Sequence, residues 1–358
     1  MKFIHCADLH LDSKMDKLSL DKAKVRRAEM VRTFENLCDY ATANNVRAVI
    51  IAGDMFDTAK VTVKTRNAVL YAIENNPQVD FLYLAGNHDE DNFISSLEII
   101  PENLKVFGEE WTAFKYGNVC IAGVKFTPYN VNAIYDTINF DPYSVNIAVM
   151  HGQIAGYKGE ERAEIISLPR LRDKNLDYLA LGHIHEHVIG QLDLRGKYAY
   201  CGCLEGRGFD ETGDKGFILI DVDGDSLSTE FVKFASRRIS TFEYSVEGKL
   251  DYLMARAEII NSLISSVDQS SLVKVVLKGE RKADFGIDVE DLTYRLNQVF
   301  FYAKVVDKTT IVIDETDYAL DKSARGEFVR AVWESDLSLE DKTKVLTVGL
   351  NALKGEEV

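Results

Sequence analysis

The sequence is poor in several features that mark large classes of protein, starting with positive charge. Lysine and arginine number 42 against 57 aspartates and glutamates, so the formal net charge at pH 7 is −15. Proteins that coat nucleic acid or an anionic membrane through bulk charge usually carry net positive charge, which argues against that class. Local binding of nucleic acid at one site stays open.

Cysteine is scarce and long apolar runs are absent. The five cysteines are scattered without the Cys-x-x-Cys spacing of a metal site, so we expect reduced thiols in a cytoplasmic protein. No apolar run approaches the length of a membrane span. His5 and Asp8 interrupt the first apolar segment, which speaks against a signal peptide. These absences predict a soluble protein with no membrane segment.

The composition is otherwise that of a folded protein, with 46% hydrophobic and 28% charged residues, and the 358 residues suffice for two or three domains. Short apolar runs typical of buried strands occupy 2–7, 47–52, 80–85, 145–150 and 177–182. Between them, apolar residues of helical period predict helices at 21–44 and 62–74. The alternation predicts an α/β arrangement.

The pattern changes twice further along the chain. Strands separated by turns are predicted at 187–191, 197–201, 216–222 and 228–234. A helix at 248–266, a strand at 272–278, a helix at 288–297 and a strand or hairpin at 300–313 then predict a small α+β module, and two helices follow at 322–334 and 338–354. The candidate linkers, 235–247 and 314–321, are not rich in proline or glycine, so we expect the parts to pack on one another.

Five short blocks follow the predicted strands and contain most of the seven histidines. They are Asp8-x-His10, Gly53-Asp54, Gly86-Asn87-His88-Asp89, His151-Gly152 and Gly182-His183-Ile184-His185. Open α/β sheets place their sites at the carboxyl ends of strands. Most of these blocks are weak signals alone, but a Gly-Asn-His-Asp block is expected by chance in about one chain in a thousand of this size. Together they predict a functional site.

The residue types in these blocks predict a two-metal site. Asp and His side chains are ligands for Mn, Fe or Zn, and a carboxylate such as that of Asp54 can bridge two ions. Two divalent ions about 3.5–4 Å apart can hold a bridging hydroxide and clamp a phosphate for in-line attack. Asn87 offers its carbonyl oxygen as a ligand. His88 is placed to protonate the leaving oxygen or to stabilise its charge.

The blocks resemble the pattern of the calcineurin-type metallophosphoesterase superfamily, which the sequence meets in full. The resemblance implies an α/β (α+β) fold, a four-layer αββα sandwich, and two divalent metal ions. Carried over by position, one ion is held by Asp8, His10, Asp54 and His185, and the other by Asp54, Asn87, His151 and His183. His88 is then the catalytic acid.

Flanking segments resemble the SbcD group of DNA repair exonucleases, and within it the YhaO-like branch. They read F-I-H-C-A-D-L-H-L-D-S at 3–13, G-D-M-F-D at 53–57 and C-G-C-L-E-G-R-G-F-D-E-T-G-D-K-G-F at 201–217. The resemblance implies a manganese-dependent DNA nuclease, with iron or zinc as alternative metals, that works as a dimer with an SbcC-like coiled-coil ABC ATPase. A rival hypothesis is a phosphoesterase for a nucleotide or other small phosphodiester, and another is mainly a DNA-end-binding subunit of the ATPase.

The same resemblance implies a division into three parts. A nuclease domain spans 1–240, a capping domain that recognises DNA spans 245–315, and carboxy-terminal helices that dock on the ATPase span 320–358. On the last helices, Trp333 belongs to an apolar stripe that is interpreted as core, although exposure of that stripe would favour ATPase docking.

Further residues are candidates for substrate contact, each beside a plainer structural interpretation. The basic run at Lys22, Lys24, Arg26 and Arg27 is either a solvated helix face or a phosphate-contact patch. Arg207 either meets a substrate phosphate or pairs with Asp210 or Glu211.

Asp57, His5 and His187 also lie near the blocks in sequence. Asp57 stands where archaeal and eukaryotic relatives carry a histidine that is thought to assist phosphate rotation or leaving-group chemistry. His5 is interpreted as a core histidine or a supporting neighbour of the ligands, and His187 as a neighbour of the Gly-His-x-His pair.

Overall fold

The computed structural model describes residues 1–57, 61–89, 92–156, 164–249, 251–282, 285–312 and 318–354. The chain divides into two units, Met1–Arg238 and Ile239–Val358. Both units are built from strands and helices in alternation, as the sequence pattern predicts.

The first unit contains two sheets of six strands each. Its strands are β1 (Lys2–Cys6), β2 (Val46–Ala52), β3 (Asp80–Leu84), β4 (Leu104–Val106), β5 (Thr112–Tyr116), β6 (Val119–Gly123), β7 (Val145–His151), β8 (Gln153–Ile154), β9 (Ile165–Ile166), β10 (Tyr178–Gly182), β11 (Val188–Gln191), β12 (Lys197–Tyr200), β13 (Gly216–Asp223) and β14 (Ser226–Lys233). Its helices are α1 (Leu20–Ala43), α2 (Val63–Glu74), α3 (Asn92–Ser95), α4 (Ile134–Thr137) and α5 (Leu168–Leu171).

The strand order is β14-β13-β1-β2-β3-β4 in one sheet and β11-β12-β10-β7-β6-β5 in the other, and the short strands β8 and β9 pair with each other. The strands β1 to β4 run parallel to one another, and so do β6, β7, β10 and β12. Parallel strands are buried on both faces, which explains the nearly continuous apolar runs that predicted them. Their carboxyl ends lie along one edge of each sheet.

Hydrophobic clusters fill the interfaces between the four layers of this unit. Ile50 of one sheet and Ile147 of the other lie in the cluster between the sheets. Phe34 of α1 and Val69 of α2 pack on the outer face of the first sheet. Ile134 of α4 lies in the cluster on the outer face of the second sheet. The predicted four-layer αββα sandwich is confirmed.

The second unit has a smaller parallel sheet. Its strands are β15 (Ile239–Ser245), β16 (Leu272–Lys278), β17 (Glu280–Lys282), β18 (Tyr302–Asp307) and β19 (Thr310–Val312), and its helices are α6 (Tyr252–Ser266), α7 (Val289–Val299), α8 (Ala324–Trp333) and α9 (Leu339–Lys354). β15, β16 and β18 form one sheet, and β17 pairs with β19. Residues of α6 and α7 pack on the three-stranded sheet, and α8 packs against α9.

Two predictions for this part of the chain hold only in part. The boundary between the two units, after Arg238, falls inside the predicted linker 235–247, but residues Ile239–Ser245 of that segment form β15 and pair with β16. Of the predicted strand or hairpin at 300–313, the structure has the strand β18, whereas the hairpin alternative was wrong because β18 and β19 belong to different sheets. Of the other predicted linker, residues 314–317 lie outside the described part of the chain, and the division into three domains stays a prediction.

The apolar stripe on α8 belongs to a small core. Val329 is fully buried, and Trp333 packs against the same cluster together with Leu346 and Leu350 of α9. The stripe is therefore part of a hydrophobic core, as interpreted from the sequence. Within the described residues, no helix combines the length and the hydropathy that a membrane crossing requires.

Candidate metal centre

The side chains of the five blocks meet at the carboxyl ends of parallel strands. Asp8 follows β1, Asp54 follows β2 and Asn87 follows β3, while His151 ends β7 and His183 follows β10. The loops are also tied to each other, since the Asp8 N–H donates to the Gly53 carbonyl and the His10 N–H to the Asp54 carbonyl, both at 3.0 Å. The fold therefore brings residues from five strands to one place.

The backbone of these loops is strained. Asp8, His10 and Asp54 have φ angles of 52°, 44° and 53°, and His183 has a φ of 103°. Non-glycine residues rarely adopt positive φ, and each such residue costs of order 1–3 kcal/mol, held in place by surrounding contacts. Strain of this kind concentrates at functional sites, so the backbone supports a functional interpretation of these loops.

Two glycines in the blocks allow the loops to approach closely. A Cβ atom on Gly86 would lie 2.2 Å from Asp54 Oδ1, and one on Gly182 would lie 1.9 Å from the carbonyl oxygen of Ala52. Any side chain at either position would push the loops apart. Steric crowding therefore explains why the Gly-Asn-His-Asp and Gly-His-x-His blocks each begin with glycine.

Asp8, His10 and His185 form the first group of ligand-type side chains. Each offers one ligand atom within 4.8 Å of the others. The Nε2 atoms of His10 and His185 face each other at 3.1 Å. Both Asp8 carboxylate oxygens accept a hydrogen bond from the backbone N–H of His183, at 2.9 and 3.1 Å.

Asp54, His151 and His183 form the second group, and Asn87 joins it. Asn87 Oδ1 lies 2.9 Å from His151 Nε2 and 3.3 Å from His183 Nδ1. Asp54 Oδ2 lies 3.4 Å from His151 Nε2 and 3.8 Å from His10 Nε2. Asp54 is thus between the two groups, where a bridging carboxylate has to be.

The donor set fits two divalent cations. Imidazole nitrogens, carboxylate oxygens and an amide oxygen lie close to one another in one small region. Such mixed donors suit Mn, Fe or Zn. The structure brings together all the predicted metal ligands, namely Asp8, His10, Asp54, Asn87, His151, His183 and His185. The residues are arranged to bind metal ions, whereas the identity of the metal stays a prediction.

Burial and neighbouring charges shift the protonation of these groups. Burial raises the pKa of Asp8 to about 6 and lowers the pKa values of His10 and His183 to about 4. Burial also disfavours the charged form of His151, but the Asp54 carboxylate outweighs it and raises the pKa of His151 to about 9. Two of the imidazoles are therefore neutral near pH 7, which is the form that binds metals.

Three histidines have their Nδ1 atoms close to an oxygen atom on the side away from the centre. His151 Nδ1 lies 2.9 Å from the carbonyl oxygen of Ala52. His10 Nδ1 lies 3.0 Å from Asp57 Oδ1, and His185 Nδ1 lies 2.7 Å from Glu211 Oε1. Such contacts fix the ring orientation and leave Nε2 for a metal.

Two buried carboxylates near the centre were not predicted to support the metal ligands. Asp89 accepts hydrogen bonds from the backbone N–H groups of Met55, Phe56 and Gly86 at 2.9–3.1 Å, so it ties the Gly-Asp loop to the Gly-Asn-His-Asp loop. Glu211 contacts His185 and was considered only as a partner of Arg207. Both residues lie inside quoted blocks, which was the available signal.

His88 lies at the open side of the centre. Its side chain is 46% exposed, and its ring centroid is 5.0 Å from that of His10. Its backbone N–H donates to Asp54 Oδ1 at 2.9 Å, and its Nδ1 atom lies 3.9 Å from Asp57 Oδ1. An exposed imidazole beside the ligands has access to a substrate.

The two remaining histidines have structural contacts. His5 is fully buried in β1, with Nδ1 at 2.9 Å from the Tyr178 hydroxyl, and burial lowers its pKa to about 3. His187 stacks on Phe231 with ring centroids 4.4 Å apart. These contacts agree with the interpretation of His5 as a core histidine and of His187 as a neighbour of the Gly-His-x-His pair.

The basic run on α1 does not form one surface. Arg26 is fully buried, and its guanidinium contacts Glu205 at 2.8 Å and Glu29 at 2.7 Å. A phosphate-contact role was therefore the wrong prediction for Arg26, because carboxylates enclose the group. Lys24 is exposed, and Lys22 and Arg27 are partly exposed, so their predicted role is untested.

Arg207 lies beside the centre and is paired. Its Nη1 atom is 2.9 Å from Asp57 Oδ1, and its Nη2 atom is 2.7 Å from Glu211 Oε1. Of the two partners considered from sequence, the structure selects Glu211 and not Asp210, which contacts Lys17 at 3.5 Å.

Comparison with known protein families agrees with this geometry. Residues 1–187 match the family described as calcineurin-like phosphoesterase. The chain belongs to that family. As a calcineurin-like phosphoesterase, it is a hydrolase of the metallophosphoesterase type.

Relatives of this phosphoesterase include proteins with and without an assigned role. The uncharacterized metallophosphoesterase YhaO of Bacillus subtilis (strain 168) is 29% identical over 247 residues, which cover 64% of this chain and 60% of YhaO. The DNA double-strand break repair protein Mre11 of Saccharolobus solfataricus is 25% identical over 393 residues, covering 100% of this chain and 96% of that protein. Among solved structures, a dimetal phosphatase from Danio rerio matches with a TM-score of 0.45 and 11% identity over 64% of this chain and 95% of that one.

Proposed function

We propose that this phosphoesterase is a DNA nuclease that hydrolyses phosphodiester bonds in DNA repair with two divalent cations, manganese in the first place. The observation that carries the proposal is the pair of adjoining donor groups that share Asp54. A two-ion centre of this composition is suited to phosphate-ester hydrolysis.

Asp54 and His88 have different roles in the proposed reaction. When bound, the two cations supply Lewis acidity to a phosphate ester and acidify water. The carboxylate of Asp54 lies between both donor groups and holds them at a fixed separation. The imidazole of His88, on the open side, donates a proton to the departing ester oxygen.

DNA is the proposed substrate because of the length and the nature of the similarity. The alignment with the Saccharolobus repair protein extends over both chains almost entirely, second unit included. The flanking blocks at 3–13, 53–57 and 201–217 resemble the SbcD group independently. The overall negative charge implies weak, salt-sensitive binding of DNA by the protein alone, so we also propose a dimer and an SbcC-like ATPase partner.

The test compares substrates at one centre. Purified protein with MnCl₂ is assayed on bis-p-nitrophenyl phosphate, on single-stranded DNA and on double-stranded DNA, with and without the ATPase of the same genome. We expect hydrolysis of all three phosphodiesters, stimulation on DNA by the ATPase with ATP, and loss of every activity with EDTA. Hydrolysis of the small diester with DNA left intact under all conditions would disprove the nuclease and favour a small-substrate phosphoesterase.

A further inference from the structure

Three charged side chains form a connected group next to the metal centre. Asp57, Arg207 and Glu211, which we name the carboxylate clamp, come from the loop after β2 and the segment before β13. The Arg207 guanidinium contacts Asp57 Oδ1 at 2.9 Å through Nη1 and Glu211 Oε1 at 2.7 Å through Nη2. The backbone N–H of Arg207 donates to Glu211 Oε2 at 2.7 Å, so both oxygens of that carboxylate are bound.

Each carboxylate of the clamp also holds one histidine of the first donor group. The oxygen of Asp57 that faces Arg207 lies 3.0 Å from His10 Nδ1. The oxygen of Glu211 that faces Arg207 lies 2.7 Å from His185 Nδ1. Each of these two oxygens therefore lies between Arg207 and one imidazole.

The result of these contacts is visible in the histidine rings. With His185 Nδ1 hydrogen-bonded to Glu211 and His10 Nδ1 at 3.0 Å from Asp57 Oδ1, the Nε2 atoms of the two rings face each other, 3.1 Å apart. A planar guanidinium can bind two carboxylates in fixed directions, which the single ammonium of a lysine cannot do. The clamp is enclosed as well, since the side chain of Arg207 is 20% exposed and that of Glu211 only 6%.

We propose that Arg207 is a positioning residue for metal binding, which holds Asp57 and Glu211 at the separation that turns His10 and His185 toward one cation. The inference rests on the metal centre of the proposed function. It assigns Arg207 to contacts within the protein and not to binding of the substrate. Carboxylates that bind the far nitrogen of a ligand histidine typically contribute 10–100-fold to metal affinity or activity.

The experiment measures binding of MnCl₂ to the metal-free full chain by isothermal titration calorimetry. The variants are Glu211→Gln, Asp57→Asn and Arg207→Lys, and Asp210→Asn is the matched control. Asp210 lies in the same segment, is 68% exposed at its side chain and contacts Lys17. We expect about 10–100-fold weaker binding at one of two sites in the three variants and a change below about twofold in the control.

A second readout separates positioning from substrate binding. In a titration of activity against MnCl₂, with bis-p-nitrophenyl phosphate as the substrate, Arg207→Lys is expected to regain most of its rate at high metal concentration with an unchanged KM. Normal manganese affinity with a raised KM would overturn the inference and make Arg207 a phosphate-binding group. Circular dichroism and thermal melting check the fold of each variant, and Asp57→Asn gives the same test if Glu211→Gln does not fold.

The two levels of the hypothesis fail in different ways. If the wild-type protein binds no manganese, iron or zinc, the proposed metal centre itself is disproved. If the wild-type protein binds manganese and all three variants bind it as tightly, the metal centre stands and the carboxylate clamp has no positioning role.

Discussion

The two units of the chain both contain a parallel sheet with helices, yet they differ sharply in what they bury. Among the described residues, the buried Asp, Glu, Lys, Arg and His side chains all lie in the first unit, including Asp8, Asp54, Arg26 and Glu205, whereas the second unit buries the hydroxyl-bearing side chains of Ser271 and Tyr318. In the described parts of the chain, the non-glycine residues with positive φ also lie in the first unit. Burial of charge and backbone strain both cost free energy, so they indicate where the chain does more than fold.

The difference shows that a parallel sheet offers a place for a site but does not create one. The strand β18 ends at Asp307, a carboxylate at the carboxyl end of a parallel strand, as Asp54 follows β2. Asp307 accepts a hydrogen bond from the backbone N–H of Thr309 and caps a turn. Function depends on which side chains converge at the strand ends, not on the topology alone.

The strongest way to break this comparison is to exchange the two strand-end carboxylates for amides. Asp54→Asn removes the charge shared by both donor groups, and we expect a loss of several kcal/mol of transition-state stabilisation, on the order of 10³-fold in rate or more. Asp307→Asn is the control and should leave the rate unchanged. Manganese-dependent hydrolysis of bis-p-nitrophenyl phosphate measures both, and a comparable loss in Asp307→Asn would mean that the second unit contributes to the chemistry.

A buried charge can also serve stability, and Arg26 is the test of that role. Arg26→Met leaves the Glu205 carboxylate, which is 2% exposed, without its guanidinium, and we expect a loss of about 3–5 kcal/mol in the free energy of unfolding. Lys24→Met on the exposed face of α1 should change stability by no more than about 0.5 kcal/mol. Urea unfolding followed by the fluorescence of Trp111 in a Trp333→Phe background reports on the first unit. Equal stability of the two variants would contradict the burial of Arg26.

The exposed histidine of the centre provides a smaller effect that separates chemistry from metal binding. His88→Ala removes the proposed proton donor and leaves all seven predicted metal ligands in place, so we expect a rate about 10²-fold lower and an unchanged affinity for manganese. Calorimetry with MnCl₂ and the turnover of bis-p-nitrophenyl phosphate give the two quantities. A variant that turns over normally would remove His88 from the mechanism.

The strands that build the centre could be predicted from sequence because their signals are local. An apolar run followed at once by Asp, Asn or His defines both a strand and the group at its end, as for Asp8 after β1 and Asn87 after β3. The strand β15 was missed, since its exposed and half-buried residues alternate and give no apolar run. A half-covered strand in polar surroundings is difficult to distinguish from a linker.

The partners of Arg26 and His185 could not be predicted, because they are distant in sequence. Arg26 and Glu205 are 179 positions apart, and Glu211 is 26 positions from His185. A basic run on a helix has the same pattern whether its members face solvent or a buried carboxylate. Only the folded arrangement distinguishes Lys24, which is exposed, from Arg26, which is buried.

The smallest predicted effect sharpens the comparison from the side of the second unit, where carboxylates perform local tasks. Asp288 caps α7, and its Oδ1 atom accepts a hydrogen bond from the Asp291 N–H at 2.8 Å. Asp288→Ala should weaken the start of the helix by about 1 kcal/mol, which corresponds to roughly fivefold faster amide exchange in its first turns, whereas Asp288→Asn keeps a capping oxygen and should change exchange little. Hydrogen exchange measured by mass spectrometry reports this region, and the turnover of bis-p-nitrophenyl phosphate should stay at the wild-type level in both variants. A loss of turnover in Asp288→Ala would show that a carboxylate of the second unit serves the reaction. The division between a unit that carries the chemistry of hydrolysis and a unit that does not would then no longer hold.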